Sequence, residues 1–303
     1  MNYSKLWIGF VCCFFALQNC QAQNATKDDV ESLLGDNNKP TKEYVNNAFK
    51  SPRVIMGHSI EMLGKGVLDF RILHRFGMIR DGFSELFGFD QASMRIGFDY
   101  GVSKNLTIGI GRSSFHKEAD GFVKYRIAHQ SKGSNSFPLS IVWASGYTIN
   151  SSKITNDALN QFSNRVGYFH QLIAGRKLGD KYTLQLSPTL VHRNLVDLKS
   201  DKNDMIAVGI GARVKLSNRT ALILDTYPIV YGARDEYNMV PLSIGFDIET
   251  GGHVFQLHLS NARGMNERAF ITETTEDWTN GEFQLGFNLS RVFTVVKNKS
   301  NSW

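Results

Sequence analysis

From about Gly66 onward, apolar and polar residues alternate with a period of two, the pattern of a β-strand with one dry face and one wet face. Leu68, Phe70 and Ile72 share one side of the first such run, with Asp69, Arg71 and Arg75 on the other. Met94, Ile96, Phe98 and Tyr100 oppose Arg95, Gly97 and Asp99. Ile206, Val208, Ile210, Ala212 and Val214 oppose Gly209, Gly211, Arg213 and Lys215. The theme returns in Leu242, Ile244, Phe246 and Ile248 against Ser243, Gly245, Asp247 and Glu249, and in the Phe283–Phe293 run.

Alternation fits any sheet wetted on one side, so the connections carry the argument. Tight polar turns fall at 103–105, 179–181, 217–219 and 250–252, and longer connections at 77–91, 149–164, 195–204, 232–238 and 261–281. Long and short links alternate along nearly the whole chain. A transmembrane β-barrel sorts its links this way, with short periplasmic turns and longer outside loops, whereas a soluble sandwich has no reason to. The chain is therefore expected to be all-β, an antiparallel up-and-down transmembrane β-barrel. Its strands are placed at 67–76, 92–101, 105–115, 121–129, 137–148, 165–177, 181–194, 205–216, 219–231, 239–249, 253–260 and 282–296. That is about 12 strands, an even number that leaves both termini in the periplasm. The 130–136 link is longer than an inside turn normally is, and Gly82–Phe89 reads as a short helical turn in its loop. Residues 53–62 look strand-like but would make the count odd, so they are read as part of a non-spanning segment.

Aromatic residues cluster near strand ends, among them Tyr100, Phe115, Trp143, Tyr147, Tyr182, Tyr231 and Phe293, as an interfacial girdle requires. In a soluble barrel of this size the dry faces would have to enclose a large greasy cavity. In a membrane barrel they face lipid and the charged faces line the lumen.

The N-terminus reads as a secretory signal over residues 1–22, with Lys5 ahead of the apolar run Leu6–Leu17 and a small-x-small pattern at Cys20-Gln21-Ala22. A lipoprotein signal on Cys20 fits less well, because Gln18 and Asn19 are bulkier and more polar than such a signal admits. Cleavage after Ala22 removes Cys12, Cys13 and Cys20, leaving a mature chain without disulfides, thiolate metal sites or a cysteine nucleophile. Residues 23–63 are expected to be a periplasmic lead-in or a plug segment, with a short helix around Asp29–Leu34. Residues 64–296 are expected to form the barrel and 297–303 a C-terminal tail.

No chemical motif stands out. The eight histidines include no short-spaced ligand pair, so no metal is expected. Gly109-x-Gly111 and Gly209-x-Gly211 lie inside strands with no helix following, so no nucleotide loop and no cofactor are expected. The net charge of +6 is interspersed rather than clustered, which argues against nucleic acid. What remains is the wet face. By parity, Arg71, Arg75, Arg95, Asp99, Arg193, Arg213, Lys215, Asp247 and Glu249 are the lumen-lining candidates. An ionised side chain facing lipid near the midplane costs about 2–4 kcal/mol, which is the reason to turn them inward.

Gly64-Lys65-Gly66-Val67-Leu68-Asp69-Phe70-Arg71, continuing to His74-Arg75-Phe76-Gly77, resembles the opening of a group of uncharacterised exported outer-membrane β-barrel proteins of Gram-negative bacteria. So do Leu86-Phe87-Gly88, the run Arg95–Gly101 and Gly109-Ile110-Gly111-Arg112-Ser113, in a likeness running from about Arg53 to Phe293. The resemblance implies a barrel fold and outer-membrane placement, and brings no catalytic residue, ligand or partner. The tail departs from many barrels, since Lys297–Trp303 follow the last strand and either Phe293 or Trp303 could be the terminal aromatic read during insertion.

The functional expectations are ordered accordingly. First is a passive channel or transporter for small polar or charged solutes, with outer-membrane lipid and the barrel-insertion machinery as partners. Second is a non-conducting scaffold or binding protein acting through its outside loops. Third is an outer-membrane hydrolase built from His192 with Asn194, or His170 with Ser163. The expected answer is that the protein is not an enzyme.

Overall fold

The computed structural model describes residues 41–153, 159–234 and 237–296. The expected signal peptide, the helix at Asp29–Leu34 and the tail lie outside the described residues. The alternating runs form the strands β1 (Val67–Met78), β2 (Ala92–Ser103), β3 (Leu106–Ser113), β4 (Glu118–Ala128), β5 (Ser140–Asn150) and β6 (Val166–Leu178). The second half comprises β7 (Tyr182–Arg193), β8 (Asp204–Lys215), β9 (Thr220–Thr226), β10 (Leu242–Thr250), β11 (His253–Ser260) and β12 (Gln284–Thr294).

Each strand pairs antiparallel with its sequence neighbours. β12 then pairs with β1, for example Leu289 opposite Ile72, which closes the ring into a twelve-stranded barrel. Closure leaves no edge strand, the condition for a sheet to sit in lipid. One strand departs from expectation. The run read as 219–231 is interrupted at Tyr227-Pro228, because proline has no N–H to give the ladder. Pairing with β8 resumes at Ile229–Tyr231.

The tight turns and the long loops mostly segregate to opposite ends of the barrel, here called the turn end and the loop end, with the short 114–117 link an exception at the loop end. The long 129–139 link at the turn end is stabilised by a separate two-stranded patch in which Glu43–Tyr44 pairs with Ser131–Lys132. In the 77–91 loop, short 3-10 turns form at Ile79–Asp81 and Phe83–Gly88.

The outside of the barrel is apolar. Met94, Phe98, Ile108, Ile110, Val123, Leu172, Phe246 and Leu257 are all at least 39% exposed. A soluble protein does not present an apolar belt of this extent. The hydrophobic surface is a band for lipid.

The inside does not match a water-filled pore. The inward faces of β4 to β9 carry Phe122, Val142, Ala144, Phe169, Ile173, Val191, Ala207 and Ile223, all buried. Against them pack Ile55 and Met56 from the segment before the barrel, together with Tyr227, Phe270 and Ile271. Ala48, Phe49, Val54 and Ile60 form a second cluster with Val142 and Ile173. Phe270 and Ile271 belong to α1 (Glu267–Thr272), all of whose residues are buried. The 261–281 connection, expected as an outside loop, thus folds a helix back into the barrel. Its Phe270 and Ile271 side chains join the first apolar cluster, and Asn266 caps the helix by accepting the Ala269 N–H at 2.9 Å.

Candidate functional site: a filled lumen

Residues 48–63 cross the lumen with almost no regular secondary structure; an isolated bridge joins Arg53 and His58. Such a segment cannot satisfy its own backbone polar groups, and burying them unpaired is costly. The barrel wall does the pairing. At the tip, one Asp225 carboxylate oxygen accepts the backbone N–H groups of Ile55, Met56 and Gly57 at 3.2, 2.8 and 3.1 Å. The tip itself is closed by the Val54 N–H donating to the Gly57 carbonyl at 2.9 Å.

Amide side chains on other strands read both edges of the segment. Gln185 accepts the Ile60 N–H at 3.2 Å and donates to the His58 carbonyl at 2.8 Å. Gln256 donates to the Val54 carbonyl at 2.6 Å, and Asn288 to the Ile55 carbonyl at 3.0 Å. Lys124 donates to the carbonyls of Pro52 and Glu61 at 3.1 and 2.5 Å. Thr183 and Arg213 both donate to the Ala48 carbonyl, at 2.8 and 3.2 Å.

The residues expected to line the lumen divide by depth. Arg71 is 1% exposed, donates to Ser51 Oγ at 2.9 Å and is paired with Asp69 at 2.5 Å. Asp99 lies 3.8 Å from Arg71. Arg95 forms a two-point bridge with Asp120 at 2.8 and 2.5 Å. Arg75 donates to Asn288 at 3.0 Å, and Asp247 accepts from Gln256 at 2.8 Å. These, with Arg213, are buried inside the barrel, where Arg71 and Arg213 reach the plug directly and the others pair within the wall.

The other three candidates lie at the ends. Glu249 is partly exposed and pairs with Lys50, and Lys215 sits at the turn end. Arg193 is at the loop end, where it donates to the Lys202 carbonyl at 3.1 Å. There it borders a pocket of about 150 Å³ with Arg165, Asn194, Arg268 and Glu273.

Two further ionic groups join plug, helix and wall. Arg53 donates to Glu267 of α1 at 2.9 Å, and His58 Nε2 lies 3.5 Å from the same carboxylate oxygen. Arg268 is held between Glu118 of β4 and Glu273, the latter at 2.6 Å. Burial raises the Glu267 carboxyl above its usual range, opposed chiefly by Arg53. Burial raises Glu61 as well, although its carboxylate accepts the Ala48 and Phe49 N–H groups. Burial, followed by the positive field of Arg53, holds His58 well below its usual value and therefore neutral.

Asp225, Gln185, Gln256, Asn288 and Lys124 were not among the expected lumen residues. The alternation of β9 carried the signal for Asp225, which stands between Leu224 and Thr226 on the inward parity. Its partner was not readable, since it lies about 170 residues away in irregular chain. Of the histidine pairings considered for a hydrolase, His170 meets Ser145 rather than Ser163, and His192 meets Asp204 at 2.7 Å rather than Asn194. Among the described residues no group of three or more His, Cys, Asp or Glu is placed to hold a metal, and no helix is long and apolar enough to cross a membrane.

The family described as "Membrane bound beta barrel domain (DUF5777)" matches residues 49–293, which takes in the tip of the plug and all twelve strands but for the last residue of β12. The chain belongs to this family. No curated protein matches it. Among solved structures, the barrel is similar to the NanC porin at 10% identity and a TM-score of 0.47, covering 74% of this chain and 98% of that one. It is similar to the COG4313 outer membrane channel from Pseudomonas putida F1 at 15% identity and the same TM-score of 0.47, covering 78% and 98%. The translocator domain of the autotransporter NalP from Neisseria meningitidis is more distant, at 14% identity, a TM-score of 0.35 and coverage of 77% and 89%.

Proposed function

We propose that this family member is an outer-membrane barrel that is closed and non-conducting at rest, and that it works as a rigid platform through its loop-end surface. The observation that carries this reading is the burial of Arg71, Arg95 and Arg213, at 1, 0 and 3% exposed, at the level where a passive channel needs open water. Their partners are the plug and the wall rather than a solute path. The polar wall has a sufficient purpose without transport, because an irregular segment threaded through a barrel needs side-chain donors and acceptors around the whole ring.

Passage of small charged solutes, the first expectation from sequence, belongs on this reading to a state in which the plug has left. Polar contacts of side chain to backbone can be replaced by water on departure, and the wall then exposes Arg71, Asp99, Lys124, Arg213 and Asp247. Planar-bilayer recording separates the two. The intact chain is expected to give no unitary conductance, and deletion of residues 48–63 to give steady openings. Steady conductance from the intact chain that changes selectivity on Arg95→Glu or Arg213→Glu overturns the closed reading.

A further inference from the structure

On the lipid-facing side of the barrel, the dry belt is interrupted by a polar pair. Ser145 of β5 and His170 of β6 are directly opposed in register, and Ser145 Oγ lies 2.8 Å from His170 Nδ1. By parity both side chains point away from the lumen, since their neighbours Ala144, Phe169 and Gln171 are the buried ones. The pair borders a groove of about 420 Å³ on the outer wall, walled by Ile110, Val123, Trp143, Tyr147 and Tyr168. The groove exists because Gly121 and Ser145 are small, and because Tyr147 lies over Gly121, where a Cβ would come within 2.9 Å of its hydroxyl.

We propose that this groove is a binding site for a membrane lipid, holding an acyl chain along its apolar walls with the ester carbonyl hydrogen-bonded by the Ser145–His170 pair. The hydrogen-bond inventory of the pair leads there. If Ser145 donates to Nδ1, the ring carries its proton on Nε2 and presents a free N–H. If Nδ1–H donates to Ser145, the hydroxyl hydrogen is the free donor. Either arrangement leaves one donor without a partner on a surface bathed in hydrocarbon, where such a group is costly. Hydrocarbon supplies no acceptor, and neither the Tyr147 nor the Tyr168 hydroxyl bordering the groove is hydrogen-bonded to the pair, so the occupant is the source of the acceptor.

Depth selects the kind of acceptor. Tyr147 and Tyr168 are paired across the same two strands two residues nearer the loop end. Aromatic residues of that kind mark the membrane interface, so the Ser145–His170 pair sits just inside it. That is the level at which lipid ester groups meet their acyl chains. The site is independent of the plug and needs no particular state of the lumen.

The test uses the full chain reconstituted in vesicles of phosphatidylethanolamine containing a small fraction of a probe lipid with a photoactivatable acyl chain. The probe is made in two forms, one ester-linked and one ether-linked, the latter lacking the carbonyl acceptor. Cross-links from the ester probe are expected to concentrate at least several-fold on peptides containing 121–123, 143–147 and 168–170, with the ether probe markedly weaker there. Replacing both polar partners, in Ser145→Ala with His170→Phe, is expected to abolish the ester preference while retaining a folded, heat-modifiable barrel, because removing both members leaves no orphan. Equal labelling by the two probes, labelling spread evenly around the barrel including the β11 face at Leu257, or an ester preference that survives the double replacement overturns the proposal.

Discussion

Asp225, on a barrel strand, accepts the backbone N–H of Met56 at 2.8 Å inside the barrel, and the same oxygen takes the N–H groups of Ile55 and Gly57. One carboxylate therefore organises the tip of a segment that has no secondary structure to do so. Asp225→Ala leaves three buried donors without this acceptor, each costing about 1–3 kcal/mol when unsatisfied. The expected outcome is a plug that leaves a surviving barrel. Limited proteolysis should cut within 48–63, and bilayer recordings should show openings absent from the parent. Asp225→Asn, which keeps one acceptor oxygen, should show a smaller effect of the same sign.

Gly57 is the one tip residue that fits beneath Tyr227, since a Cβ there would fall 1.6 Å from the phenol oxygen and 2.6 Å from the ring carbon that bears it. Gly57→Ala should displace the tip and lower thermal stability by roughly 1–3 kcal/mol or more, the range for overpacking. Tyr227→Phe removes only the nearest atom. It should rescue part of the loss and not all of it, as read by the melting temperature of the double variant.

The Arg53–Glu267 pair joins plug to α1 with both side chains 1–2% exposed. Glu267→Gln leaves a buried guanidinium without its counter-charge, and breaking such a pair costs about 3–5 kcal/mol. Replacing both, in Arg53→Met with Glu267→Leu, should cost far less than either single change. A double-mutant cycle on thermal unfolding gives the coupling directly. A coupling near zero would show that α1 is held in the lumen without this pair, by Arg268 on Glu118 and the packing of Phe270 and Ile271.

Acid should loosen the plug through His58. Burial, then Arg53, depresses its folded-state pKa, so the displaced segment binds a proton more readily than the seated one. The stability it contributes is complete above the unfolded value of about 6.5 and falls as pH drops below it. Glu61 and Glu267, raised by burial, act with the opposite sign, so the His58 contribution is read as a difference. Between about pH 6.5 and 5, protease accessibility of 48–63 should rise more in the parent than in a variant lacking the imidazole. His58→Gln, which cannot take up a proton, should flatten that rise.

The ring of strands was legible because two local rules fix it. Period-two alternation names the faces, as in Leu68–Ile72 against Asp69 and Arg71, and the alternation of short and long links names the ends. Both rules act over a few residues, so the strand positions and the inward turn of Arg71, Arg95 and Asp247 follow from the sequence. The break after β9 was not part of that expectation, although its local cause, the missing N–H of Pro228, lies in the sequence.

What fills the ring was not legible by the same means. Parity puts Phe122 and Phe169 inside, yet an apolar residue facing a lumen has no meaning until something dry meets it. Ile55, Phe270 and Ile271 supply that surface from opposite ends of the chain. Asp225 with Met56, Gln185 with Ile60 and Arg53 with Glu267 are long-range pairings between a regular wall and irregular chain, and no spacing announces them. By itself, then, the sequence determined that this chain closes a barrel with a dry outside and a charged inside. Only the tertiary structure decided that the charged inside holds a plug, because a buried irregular backbone must be satisfied by whichever side chains surround it, and that neighbourhood exists only once the barrel is closed.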